Sequence, residues 1–141
     1  MSTIAKLERT KRLERVEKDP EQVRALRQAA ARHMSSSQVI AESDVAGAFS
    51  LAYDAARKAM TALILHHGYR TRGGGAHMTT GEAAAILVPG IDVDGFEWMR
   101  LTRNATEYGS DKHPSATMAD LDEAREVAGE IIDSVEAAFG D

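Results

Sequence analysis

The stretch S43-DVAGAFSLAYDAARKAMTALILHH-G68 decides the fold. Ser43-Asp44 supplies a helix cap, and Val45, Phe49, Ala52, Tyr53, Ala56, Met60, Leu63 and Ile64 then recur at close to the 3.6-residue period of one helical face. A helix of that length with that apolar stripe suits the centre of a bundle, and it predicts the spine of an all-α protein. Little in the rest of the chain alternates as a half-buried strand would, and only three prolines interrupt it.

Upstream, a first helix is expected over residues 3 to 18. Asp19-Pro20-Glu21-Gln22 then offers an N-cap, a proline at the first helical position and a glutamine three residues past the cap, so a second helix begins at Pro20 and runs toward His33. Ser35-Ser36-Ser37 reads as a joint, with room for a short helical turn at Gln38 to Glu42. Downstream, YRTRGGGAHM reads as a flexible loop because three glycines do not sit stably inside a helix. Thr79 to Glu82 has the form of a capping box opening a short helix that Pro89-Gly90 ends, and Asp94 with Glu97 is expected to cap the next. Thr117 and Asp120 open a last helix to about Phe139, whose Leu121, Ala124, Ala128, Ile131, Val135 and Ala138 form a heptad-like seam. The expectation is a bundle of about five helices over residues 36 to 141, preceded by a basic N-terminal helical extension, residues 1 to 35.

At 141 residues the chain is of one-domain size. It has no cysteine, which excludes disulfides, thiolate metal sites and cysteine nucleophiles, and fits a reducing compartment. No apolar run approaches the roughly 18 residues of a membrane span, and the N-terminus is charged where a signal peptide would be apolar; a cytoplasmic protein that does not engage membrane is expected. The net charge of −5 is uneven: residues 1 to 33 hold nine Lys/Arg against five acids, and the other 108 hold eight against 17. The basic segment has charge to offer a phosphate or an acidic partner, but its charges are interleaved with acids, and an acidic chain is a poor general coat for DNA.

The chemistry concentrates in RLTRNATEYG, Arg100 to Gly109. On a wheel of about 100° per residue, Arg103, Glu107, Arg100 and Asn104 fall within about 100° of one another, with Tyr108 at the margin. Trp98, Leu101 and Ala105 fall opposite and are expected to form the buried stripe. Two segments, YDAARKAMTALILHHGYRTRGGGAH (Tyr53 to His77) and MRLTRNATEYG (Met99 to Gly109), together resemble the HEPN domain family, which shares a helix of the form AY-x-AAR-x-A, a GYR loop that often bears a histidine, and a later helix with an RN motif. The resemblance spans roughly residues 45 to 139.

That resemblance implies a helical bundle that forms a homodimer with the two motif helices facing across a shared cleft. In active members the motif is Arg, four to six residues, then His, and the activity is metal-independent endoribonuclease cleavage; other members are inert binding modules. Many work beside a nucleotidyltransferase or within toxin-antitoxin and phage-defence systems, so a nucleotidyltransferase or an antitoxin is the implied partner, and RNA or a nucleotide the implied ligand. On this chain Arg103 and Asn104 match the start of the motif; with Tyr108 at the histidine position and Glu107 on the arginine face they are the catalytic candidates, and Arg100, Arg70, Arg72 and His77 are the nucleic-acid-binding candidates.

Tyr108 stands where the motif histidine would be. Metal-free cleavage needs a base for the 2′-hydroxyl and cations on the phosphate. Arginine meets the second need; a tyrosine with an ordinary pKa of about 10 meets the first poorly. Glu107, or His113 from the following loop, are the substitutes the sequence offers. His66, His67 and His77 do not have metal-ligand spacing, and no metal or cofactor is expected. The Gly-rich loop lacks the GK[ST] ending of a phosphate loop. Two readings stand: an RNA- or nucleotide-binding protein with weak ribonuclease activity, and a catalytically inert dimerisation and protein-interaction module.

Overall fold

The computed structural model describes residues 2–107 and 116–140. The elements run α1 (Ile4–Arg9), β1 (Leu13–Arg15), α2 (Pro20–Ile40), α3 (Val45–His66), β2 (Tyr69–Thr71), α4 (Ala76–Leu87), α5 (Val93–Glu107) and α6 (Met118–Phe139). The expected spine is real. The Asp44 side chain accepts from Gly47 N–H at the start of α3, and α2, α4, α5 and α6 all pack on this helix. Phe49, Tyr53, Met60 and Leu63 project from it into one core with Phe96 and Met99 of α5 and Leu121, Ile131 and Val135 of α6. Six alanines of α3, Ala48, Ala52, Ala55, Ala56, Ala59 and Ala62, are buried, and their small side chains let neighbouring helices approach closely.

The last helix opens as expected: Thr117 and Asp120 exchange reciprocal capping bonds, and Leu121, Ala124, Ala128, Ile131 and Val135 are buried, while Ala138 is exposed. The start of α2 also follows expectation, with the Asp19 carboxylate accepting from Gln22 N–H at 3.1 Å. Its end does not. α2 continues through the serine triplet to Ile40, because Ser37 is fully buried and its hydroxyl donates to the Ala48 carbonyl at 2.7 Å, tying α2 to the first turns of α3.

The first helix is far shorter than residues 3 to 18. Leu7 and Leu13 both enter a second apolar cluster with Ile64 and Ala83. In one continuous helix they would lie about 120° apart and could not share that site. The chain turns instead through Lys11, at φ 61°, and residues 13 to 15 pair antiparallel with residues 69 to 71. The opening of the glycine-rich loop is therefore a strand.

Helix α4 starts at Ala76, after Gly75 in the left-handed region at φ 79°, and not at the expected Thr79. Thr79 and Glu82 serve another purpose inside the helix: Arg12 donates to Thr79 Oγ1 at 3.2 Å and to both Glu82 carboxylate oxygens at 3.1 and 2.7 Å. This clamp fastens the N-terminal segment to the bundle. Asp92, not Asp94, caps α5, accepting from Gly95 N–H at 2.8 Å, while Glu97 turns to Arg100. Among the described residues no helix is long and apolar enough to cross a membrane.

Candidate functional site

The largest departure from expectation concerns which face of α5 is buried. Leu101, placed in the buried stripe by the wheel, is 55% exposed; Phe96 and Met99 are buried instead. Met99 and Phe96 lie within about 40° of Arg103 on the wheel. Arg103 therefore lies on the side of α5 that meets the bundle, over the ring of fully buried Tyr53, with Cζ 5.2 Å from the ring centroid, while Arg100 and Asn104 stay partly exposed.

Around that contact a half-open cleft of about 350 Å³ is built from two helices. The first turn of α4 contributes Gly75, Ala76, His77 and Met78; α5 contributes Arg100, Arg103 and Asn104. Tyr53 of α3 stacks on Phe96 (centroids 5.1 Å apart) and lies nearly parallel to His77 (5.8 Å, 5°), and its hydroxyl forms a short hydrogen bond with His77 Nδ1. Arg100 is oriented by Glu97, donating from Nε at 3.0 Å and from a terminal nitrogen at 2.6 Å. That bond holds the Glu97 carboxyl below its ordinary range and raises the Arg100 guanidinium further.

The electrostatics follow from burial and from the arginines. Burial pushes the Tyr53 phenol up to about 12, against the pull of Arg103, Arg57 and Arg100, so it stays protonated. His77 is lowered, first by burial and then by Arg57, Arg103 and Arg100, with Asp54 opposing. At neutral pH it is an uncharged imidazole. Asp54 and Arg57 approach each other at 3.6 Å on α3.

Of the candidates named from sequence, the fold brings Arg100, Arg103, Asn104 and His77 together. Arg70 and Arg72 do not line the cleft; both reach Glu14 across the β1–β2 pair. Tyr108 and His113, and the side chain of Glu107, lie outside the described residues. His66 contacts Phe139 while His77 meets Tyr53, and among the described residues no three His, Asp or Glu side chains gather as metal ligands. Sequence reasoning treated Tyr53 purely as core. Its signal was a tyrosine in an otherwise hydroxyl-free stripe, which asks for a hydrogen-bond partner once buried.

The protein is an all-α bundle whose motif helix lays Arg103 over a buried tyrosine, in a polar cleft also lined by His77. The HEPN domain family model matches residues 23–138, and the chain belongs to that family. No curated protein and no solved structure matches it.

Proposed function

We propose that this cleft binds RNA through its phosphates and cleaves it slowly without metal, with His77 supplying the imidazole that the motif itself lacks. The observation that carries the proposal is the convergence of Arg100, Arg103 and Asn104 from α5 with His77 from α4 in one cleft. Arginine forks suit the non-bridging oxygens of a phosphodiester, and the start of α4 adds the positive end of a helix.

In the mechanism, His77 acts through Nε2. With its proton on Nδ1 and donated to the Tyr53 oxygen, the Nε2 lone pair takes the proton of the ribose 2′-hydroxyl. The 2′-oxygen attacks phosphorus, the bond to the 5′-oxygen breaks, and a 2′,3′-cyclic phosphate and a 5′-hydroxyl result. Arg100 and Arg103 stabilise the charge that builds on the phosphate. Water supplies the proton to the leaving oxygen, which keeps the reaction slow.

Dimerisation through the α4–α5 face belongs to the same proposal. Leu101 and Met78 are 55% and 53% exposed on the two helices that form the cleft, and a second copy, or a nucleotidyltransferase or antitoxin-type protein, would cover them. These side chains are also what favours the second reading, an inert interaction module. Incubating the protein with RNA in EDTA separates the two. Cleavage to cyclic phosphate ends that is lost in Arg103→Ala and His77→Ala supports the enzyme; equal, uncleaved lanes for all three proteins, with dimerisation intact, leave only the module.

A further inference from the structure

A second concavity, of about 320 Å³, lies at the far end of α3. His66, in its wall, is 13 residues beyond Tyr53, which places it roughly 20 Å along the helix and about 140° round it from the cleft. Phe139, Leu65 and the His66 ring form its apolar lining, the His66 ring tilted 57° against Phe139 with centroids 4.9 Å apart. Lys18, Arg24 and Arg27 also line it, beside the N-terminal turn of α2. Arg27 is fixed in place: its Nε donates to Glu136 Oε1 at 3.1 Å, and its guanidinium lies 4.1 Å from the Phe139 centroid. Asp19 also lines the pocket, with its carboxylate engaged in capping α2.

From this arrangement we infer a binding site for a small phosphate monoester with a flat apolar body, its phosphate held by Lys18, Arg24 and Arg27 and its body against Phe139 and His66. The volume is of the size that takes small molecules. Glu136 pairs with Arg27, so the attraction for a dianion comes chiefly from Lys18 and Arg24, both exposed at the pocket. A long nucleic-acid strand fits the surroundings badly. Glu17 and Glu21 stand exposed next to Lys18 and Pro20 in the chain, and Glu136 holds Arg27, so a polyanion leaving the pocket would meet like charge.

Phenyl phosphate titrated into isotopically labelled full-length protein, followed by amide and side-chain chemical shifts, tests the site. Saturable shifts are expected at residues 18 to 27, His66 and Phe139, with inorganic phosphate binding more weakly because it does not use the apolar wall. Lys18 and Arg24 are exposed, so the double variant Lys18→Glu/Arg24→Glu keeps the fold, and it should weaken binding by about tenfold or more. Arg103→Ala should leave binding unchanged. The inference is overturned by absence of saturation, by shifts confined to α4 and α5 that vanish in Arg103→Ala, or by a single-stranded oligonucleotide that displaces phenyl phosphate from this pocket. Because Arg103 takes no part here, failure of the RNA proposal leaves this result standing, and the reverse holds.

Discussion

Replacing Tyr53 by phenylalanine deletes one oxygen and nothing else from the centre of the site. The ring keeps its stacking on Phe96 and His77 and still lies beneath Arg103. What is lost is the hydrogen bond to His77 Nδ1. A side-chain hydrogen bond contributes about 0.5–1.5 kcal/mol net, so the variant should be less stable by about 1 kcal/mol, or about 3–4 °C in Tm for a chain of this size. Tyr53→Ala would instead open the core at a cost of about 3–5 kcal/mol and confound any functional measurement. If the hydroxyl also fixes the His77 tautomer and ring orientation during proton abstraction, the same 1 kcal/mol lost from the transition state slows single-turnover RNA cleavage about fivefold, with substrate affinity unchanged. Tyr53 is thus a positioning residue, and rate against affinity is the readout that a merely structural role would not split. A variant that is destabilised as expected but cleaves at the wild-type rate would refute its part in catalysis, and one of unchanged stability would refute the bond itself.

Acid should weaken the fold through its histidines. His33, His67 and His77 are all lowered by burial, so from about pH 7 downward the unfolded chain binds protons near the ordinary 6.5 while the folded chain does not, and stability present above 6.5 is lost as pH falls toward the folded values; urea midpoints at pH 7.5 and 5.5 should show this, and His77→Gln should shrink the difference. Gly95→Ala would place a Cβ 2.4 Å from the Asp92 carboxylate oxygen and 2.8 Å from Val127 Cγ1, disturbing the α5 cap and its packing on α6, and should cost about 2–4 kcal/mol by chemical denaturation. Glu82→Gln breaks the Arg12 fork, a part-exposed pair worth about 0.5–1 kcal/mol globally; limited proteolysis should nevertheless cut residues 2 to 15 faster, since that pair is a main tether of the segment.

Helices defined by a single apolar stripe and an unambiguous cap were legible in the sequence. α3 and α6 needed nothing beyond Asp44, Thr117 and the spacing of their large apolar residues. The errors arose where distant partners outweighed local pattern. Thr79 and Glu82 have the spacing of a capping box, yet the guanidinium of Arg12, 67 residues or more away, claims both. Residues 10 to 18 have helical composition, yet burial of Leu13 beside Leu7 and pairing with residues 69 to 71 draw residues 13 to 15 into a strand. No single-sequence pattern carries that pairing.

Arg100, Arg103, Asn104 and His77 were named from the sequence and lie together in the fold, Arg70 and Arg72 lie elsewhere, and the orientation of the motif helix was misread for a definite reason. Hydrophobicity ranks Leu101 above Arg103 as a candidate for burial, and on an isolated amphipathic helix that ranking holds. α5 instead meets α3 at Tyr53, whose aromatic face accepts a guanidinium as readily as an aliphatic chain, so Arg103 lies over that ring and still lines the cleft. Turning Arg103 inward then turns Leu101 outward, because the two lie about 160° apart on the same helix. The exposed leucine and the inward arginine are one event, and a partner that buries Leu101 would press the motif helix against the wall formed by His77.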